Sequence, residues 1–202
     1  TETKVRYNKL FTAIEQDRVK QMVASKTFPE DYTDIPTYGV SVNGRIYVYI
    51  MSIRTWNPWI SNFAALAYSD DDGKTFTRID NFFPGNSNFI QVALVKKDGY
   101  LYLFGIPTAR AGGVKLARVP EDKVLDKSAY KFFKHGGSWV DSEFDASIIV
   151  PGQVGELAVQ WNPFLKSWLM TYLNEGSRWM EARTSPELEG PWSRAEYLAA
   201  SP

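Results

Sequence analysis

The 202-residue chain is 44% hydrophobic and 15% aromatic, which is enough apolar material to bury one sizeable core in a single globular domain. Lysine plus arginine number 23, as do aspartate plus glutamate, so the chain lacks the excess positive charge of nucleic-acid-binding proteins and we expect no nucleic-acid partner. With no cysteine, no apolar run of about 18 residues and no signal-peptide pattern, the sequence excludes disulfides and predicts no membrane span in this chain.

The first 34 residues precede the regular strand pattern of the chain. Residues 1–14 are strand-like, and residues 15–26 are predicted to form a short helix with Val19, Met22 and Val23 on one side. We expect residues 1–34 to hold the end of a preceding structural unit and a linker.

Three similar hairpins follow. Residues 40–53 contain two β-branched and aromatic runs joined by Asn43-Gly44, a dipeptide that favours a tight type I′ turn. Residues 91–106 repeat the arrangement around Asp98-Gly99, and residues 157–173 repeat it with a longer turn through Asn162-Pro163. The three hairpins indicate an internal repeat.

Each hairpin is followed by a further strand, a turn and another short strand, so the repeating unit is four antiparallel strands in about 50–60 residues. This predicts an all-β fold, a β-propeller of which the chain covers about three blades, at residues 35–79, 88–133 and 155–194. A β-sandwich built from the same hairpins is the alternative.

The acidic run in residues 68–76, YSDDDGKTF, is predicted to be the turn between strands three and four of the first blade. Its pattern S-x-D-x-G-x-T-F, from Ser69 to Phe76, resembles the Asp-box turn of sialidase-like propellers, in which the aspartate and serine bind backbone donors of the turn. We therefore expect a structural role for Asp71, on the face opposite any binding funnel, and no metal ion there.

Strand counting brings six segments to the other face: residues 34–38, 54–59, 86–91, 108–110, 155–156 and 174–178. Tryptophan faces beside arginine and amide side chains are suited to stacking on sugar rings and to binding their hydroxyls. This face is predicted to be a carbohydrate cleft. In the alternative interpretation, Trp56 and Trp59 pack under a loop and the amides serve local turns.

Long runs of the sequence resemble a family of actinobacterial five-bladed β-propellers, formerly of unknown function, whose members include endo-D-arabinanases. The runs are IPTYGVSVNGRIYVYIMSIR, AYSDDDGKTF, SNFIQVALVKKDGYLYLFGIP, GGVKLARVPEDKVLDKSAY, VGELAVQWNPFLKSWLMTYLNE and TSPELEGPWS, and the resemblance covers residues 35–193. It implies a glycoside hydrolase that acts on cell-envelope arabinan, in a secreted or envelope location. The family's catalytic aspartates lie in Gly-Thr-Asp and Gly-Asp-Thr motifs of an earlier blade. Neither motif occurs here, so we expect missing blades to come from the same or another chain.

Among the remaining carboxylates, Glu156 is the best catalytic candidate, since it lies at the cleft end of a first strand with an apolar neighbour that would desolvate it. Glu175, Glu181 and Asp34 are predicted to be rim charges, and His135 a solvated loop residue. The predicted substrate-binding residues are Tyr38, Arg54, Trp56, Asn88, Gln91, Arg110, Gln160 and Asn174. We expect no cofactor.

Two functions remain open from the sequence. The first is an endo-D-arabinanase-like hydrolase whose complete catalytic pair includes residues outside this chain. The second is a non-catalytic glycan-binding or scaffold propeller. In either case the partner is a polysaccharide or glycan.

Overall fold

The computed structural model describes residues 14–15, 18–19, 23, 29–30 and 32–200. At its start, β1 (Ile14–Glu15) pairs with β2 (Arg18–Val19) in an antiparallel hairpin. The helix predicted over residues 15–26 is therefore wrong at Glu15, Arg18 and Val19. The remainder of that prediction, apart from a bend at Val23, and the strand expected over residues 1–13 lie outside the described residues.

The first sheet contains β3 (Thr33–Val42), β4 (Arg45–Trp56), β5 (Trp59–Ser69) and β6 (Thr77–Pro84), paired antiparallel in chain order. The β3–β4 turn has positive φ at Asn43 (51°) and Gly44 (81°), as a type I′ turn requires. Asparagine and glycine tolerate this backbone better than other residues, which explains why the sequence predicted this turn.

The second sheet contains six strands, whereas four were expected. β7 (Gln91–Lys97), β8 (Tyr100–Ile106), β9 (Val114–Pro120), β10 (Lys131–Lys134) and β11 (Ser138–Val140) follow one another across the sheet. β10 is short and pairs with the end of β9 at Ala117 and Arg118, while β12 (Ile148–Val150) pairs with the start of β9. The two short strands together cover an edge that would otherwise expose unpaired backbone groups.

The third sheet contains β13 (Val154–Asn162), β14 (Ser167–Asn174), β15 (Trp179–Ser185) and β16 (Glu196–Ala200), again antiparallel in chain order. Its last strand begins at Glu196, so the strand expected at residues 191–194 is instead a connecting segment. Trp192 of that segment packs edge-on against Phe104 of the second sheet, with ring centroids 6.0 Å apart.

Two apolar cores join the three sheets. One lies between the first and second sheets and includes Phe82 and Phe89, and the other lies between the second and third sheets and includes Phe104 and Tyr172. Burial of each such side chain contributes about 1.5–3 kcal/mol. β7 contacts both β3 and β13, so the first strands of the three sheets are neighbours around a common axis.

Over the described residues, the chain is thus an all-β partial propeller whose three larger antiparallel sheets do not close a ring, and β1 and β2 form a separate two-stranded sheet. The predicted fold class is confirmed. Among the described residues, no helix is long and apolar enough to cross a membrane.

Candidate functional site

A cavity of about 210 Å³ opens where the first strands of the three sheets begin. We call it the strand-start cavity. It is lined by residues 35–37 of β3, Gln91 and Val92 of β7 and Glu156 and Leu157 of β13, and by side chains from the β4–β5 and β8–β9 connections. Segments far apart in sequence meet here because each sheet begins at the same end of the molecule.

Two tryptophans flank the β4–β5 turn and both line the cavity. The Trp56 and Trp59 rings have centroids 5.0 Å apart and are tilted by 59°. The turn between them contains a cis Asn57–Pro58 peptide, and Thr55 Oγ1 accepts a hydrogen bond from the Asn57 amide at 3.3 Å. Trp56 is 41% exposed, so an aromatic surface is available to a ligand.

Arg110 connects this aromatic pair to two carboxylates. Its guanidinium carbon lies 5.2 Å from the Trp59 ring centroid, within cation–π range. Its Nη1 donates to Glu175 Oε1 at 2.5 Å, and its Nη2 donates to Glu156 Oε1. Arg178 also pairs with Glu175, with Nη1 3.0 Å from Oε2. The cavity therefore has an aromatic side and a charged side joined by one arginine.

The loop that carries Arg110 has a constrained backbone. Ala109 and Arg110 have φ of 57° and 53°, a region that few residues other than glycine adopt. The start of this loop is tied to the first sheet, because Thr108 Oγ1 accepts the Ser61 amide at 3.2 Å and lies 2.7 Å from Ser61 Oγ. Such conformations occur often where a side chain must be held in one direction.

The Glu156 side chain is more exposed than the sequence predicted. Its side chain is 62% exposed and paired with Arg110, so the expected desolvation by an apolar neighbour is not found. The reason is strand alternation: Leu157 points into the core between the second and third sheets, and Glu156 points to the other side of β13.

Of the eight predicted substrate-binding residues, the cavity brings together Trp56, Gln91 and Arg110. Gln91 is almost fully buried, and its Nε2 lies 3.5 Å from Met51 Sδ. Trp59 and Thr37 also line the cavity, although neither is among the eight predicted residues. The position of Trp59 in the aromatic loop was a sufficient signal for the first of these.

The other five predicted residues lie elsewhere. Arg54 binds Glu30 and Asn62 beside a separate cavity, and Asn88 Nδ2 donates to the carbonyls of Gly105 and Gly113. The remaining three are Tyr38, packed against both cores, Gln160, exposed further along β13, and Asn174, whose side chain holds the β14–β15 turn.

Two of the three predicted rim charges are buried. Asp34 forms a two-point ion pair with Arg78, and their side chains are only 5% and 7% exposed. Glu181 is buried and accepts hydrogen bonds from Tyr172 Oη at 2.6 Å and Asn174 Nδ2 at 2.9 Å. Burial, and after it the hydrogen bond to Glu181, raises the pKa of Tyr172 to about 12.

The acidic turn after β5 lies at the end of the first sheet opposite the cavity, since β5 runs from Trp59 at the cavity to Ser69. Asp71 accepts hydrogen bonds from the Thr75 side chain (2.6 Å) and amide (2.9 Å) and from Ser69 Oγ (2.8 Å), and these bonds hold its pKa well below the ordinary value. Phe76, the last residue of the motif, is half-buried.

His135 is exposed, and its Nε2 lies 3.2 Å from the Ile148 carbonyl oxygen. Within the part of the chain that the structure describes, no three His, Asp or Glu side chains are grouped as a metal site would require.

Comparison with known proteins places this architecture in a family. The sequence profile of the "domain of unknown function (DUF4185)" matches residues 1–202. The chain belongs to the DUF4185 family.

Two fungal proteins are related to this DUF4185 chain. Notoamide biosynthesis cluster protein J of Aspergillus sp. (strain MF297-2) is 31% identical over 173 residues, covering 81% of this chain and 46% of that protein. Protein J′ of Aspergillus versicolor is also 31% identical over 173 residues and covers 81% of this chain and 47% of its own length. The chain spans about half the length of these relatives.

Solved structures with a similar fold include hydrolytic enzymes. A Bacteroides ovatus protein described as a hydrolase superposes with a TM-score of 0.63 at 17% identity, covering 85% of this chain and 46% of that one. The exo-β-1,3-galactanase of Phanerochaete chrysosporium, in a variant whose structure was determined with β-1,3-galactotriose, superposes with a TM-score of 0.59 at 12% identity. The match covers 81% of this chain and 35% of the galactanase chain. At such identities the likeness concerns the fold alone.

Proposed function

We propose that this chain forms the glycan-binding part of an endo-D-arabinanase-like propeller that acts on cell-envelope arabinan. The observation that supports it most directly is the strand-start cavity, where the Trp56–Trp59 pair adjoins Arg110 and its partner Glu156. A furanose ring presents C–H groups that stack on an aromatic face and hydroxyls that bind charged and amide side chains.

The contacts of Arg110 bear on the catalytic role of this chain. Glycoside hydrolysis uses a proton donor and a second carboxyl group on the other side of the bond, about 5–5.5 Å away for retention or about 6.5–9.5 Å for inversion. Glu156 and Glu175 are both bound by the Arg110 guanidinium, and among the described residues only Glu156 contributes a carboxylate to the cavity lining. We infer that the catalytic aspartates belong to blades outside these 202 residues, in the same or another chain, and that Glu156 assists them.

A non-catalytic glycan-binding propeller is the second candidate. It is favoured by the ion pair between Glu156 and Arg110, because a carboxylate engaged by a guanidinium is less available for proton transfer. Both functions place the protein outside the cell or in the envelope, where arabinan occurs, and both use the three antiparallel sheets.

The test incubates the purified chain with D-arabinan and measures binding by affinity electrophoresis and released oligosaccharides by chromatography. We expect weak binding without release, and release from a longer protein that includes the flanking blades. Release by the 202-residue chain that disappears in Glu156→Gln would show that the catalytic groups are present here. Absence of binding to any arabinan would contradict both functions.

A further inference from the structure

A second cavity, of about 350 Å³, lies between the first and second sheets and shares no lining residue with the strand-start cavity. We call it the aromatic cavity, because its walls include Phe82, Phe83, Tyr130, Phe132 and Phe144. Phe82 contacts Phe83 and Tyr130 in T-shaped arrangements, with centroids 5.3 and 5.7 Å apart. Phe144 is 68% exposed and stands at the cavity mouth.

One acidic residue of the cavity lining, Glu143, is buried. Glu143 is 9% exposed, and its Oε2 accepts hydrogen bonds from Ser87 Oγ at 2.8 Å and from the Asn88 amide at 2.9 Å. Among the described residues, Glu143 forms no ion pair with a lysine or arginine; Lys115 donates to the Glu143 backbone carbonyl instead. A buried negative charge without a cationic partner is costly to maintain.

Other charges at the cavity are more exposed. Asp141 is paired with Lys131, and Lys127 extends along the wall with its Nζ 5.6 Å from the Phe82 centroid. Lys127 Nζ also donates to the Asn81 carbonyl at 3.2 Å. The Lys127 ammonium thus already lies near the Phe82 ring of the cavity. It is bound to the Asn81 carbonyl and is not paired with Glu143.

We propose that the aromatic cavity binds a quaternary ammonium group. Aromatic rings attract a weakly hydrated cation, and Glu143 supplies the opposite charge. A primary ammonium needs acceptors for three N–H groups, and one of the two Glu143 oxygens, Oε2, already serves two donors, so a cation that needs no hydrogen bond fits these aromatic walls better. The cavity volume falls in the range that holds small organic ligands. This proposal is independent of the glycan function, because it involves none of the strand-start residues.

The experiment titrates the whole 202-residue protein with choline in a calorimeter, beside its neutral isostere 3,3-dimethyl-1-butanol and the primary amine n-butylammonium, at matched ionic strength. We expect one choline to bind per chain. The affinity of each of the other two compounds should be lower than that of choline by roughly tenfold or more. Equal binding of the neutral isostere or of n-butylammonium would overturn the proposal, as would the absence of choline binding.

Three variants locate the site. Glu143→Gln keeps an acceptor for Ser87 and Asn88 but removes the charge, so choline affinity should fall roughly tenfold. Lys127→Met removes a competing cation and should raise the affinity severalfold. Asp145→Asn, which changes an exposed neighbouring charge, is the control and should leave it unchanged.

Circular dichroism shows whether Glu143→Gln folds. If it does not fold, Phe144→Ala tests the same cavity. Because Phe144 is exposed, its truncation should preserve the fold and weaken choline binding severalfold. Unchanged affinity in Phe144→Ala, or in a folded Glu143→Gln, would contradict binding in this cavity.

Discussion

Gly155 lies directly against Arg110: a Cβ added at Gly155 would stand 3.3 Å from Arg110 Cδ. The same atom would be 3.2 Å from Glu175 Oε1 and 3.1 Å from the Leu173 carbonyl oxygen. These contacts are tighter than ordinary packing, so the absence of a side chain allows the arginine to reach both carboxylates.

We therefore predict that Gly155→Ala displaces Arg110 and weakens glycan binding severalfold, while unfolding free energy falls by only about 1 kcal/mol. Affinity electrophoresis and urea unfolding measure the two effects. Gly39→Ala is the control, because its added Cβ would meet its nearest atom at 3.7 Å. Equal binding by wild type and Gly155→Ala would show that the position of Arg110 does not matter for the ligand.

The buried Asp34–Arg78 pair predicts a large loss of stability when it is broken. Arg78→Ala removes both guanidinium hydrogen bonds from a carboxylate that is 5% exposed, and we expect a loss of about 3 kcal/mol in unfolding free energy. The matched control is Arg45→Ala, which breaks an exposed pair with Asp70 and should cost less than about 1 kcal/mol. Similar losses for both variants in urea unfolding would contradict the role of burial.

The sequence predicted best the features that local chemistry determines. The Asn43-Gly44 turn follows from the backbone that those two residues tolerate, and the grouping of Trp56, Gln91 and Glu156 follows from counting strand ends. Because successive antiparallel strands run in opposite directions, their order alone indicates at which end of the sheet each strand begins. This count does not require knowledge of side-chain direction.

Side-chain direction and long-range pairing explain what the sequence missed. The β4–β5 register shifts on both sides of Ile53, next to Arg54, and such bulges turn a side chain away from the direction that alternation predicts. Arg54 consequently binds Glu30 and Asn62, while Arg110 occupies the cavity. The edge strand β12 was also missed, because its pairing depends on how much of β9 the short β10 leaves open.

The turn at Asp71 predicts a pH-dependent stability. Hydrogen bonds from Thr75 and Ser69 lower the pKa of Asp71 in the folded state, so its stabilisation is present above the ordinary carboxyl pKa and is lost as pH falls through the folded-state pKa. Asp71→Asn should therefore lower the melting temperature at pH 7, and the difference from wild type should shrink in acid. Thermal unfolding between pH 7 and pH 2 measures this.

Asp72→Asn is the control for that series, because Asp72 is exposed and asparagine also tolerates its positive φ of 59°. Its melting temperature should follow the wild type at every pH. If the melting temperature of Asp71→Asn stays below that of the wild type by the same amount down to pH 2, the charge of the Asp71 carboxylate does not stabilise the turn.

Trp56 is the exposed aromatic side chain of the strand-start cavity. Trp56 is 41% exposed and contacts Trp59 at a centroid distance of 5.0 Å, so its indole is available for stacking on a sugar ring. Trp56→Ala should weaken arabinan binding about tenfold, since an aromatic contact contributes roughly 0.5–1.5 kcal/mol beyond its buried area. Phe164→Ala is the matched control: Phe164 is 91% exposed on the β13–β14 hairpin, at the end of β13 opposite the cavity, and its loss should leave binding unchanged. Affinity electrophoresis in arabinan-containing gels compares the two. If Phe164→Ala weakens binding and Trp56→Ala does not, the glycan binds at the hairpin end of the sheets and the strand-start cavity is not its site.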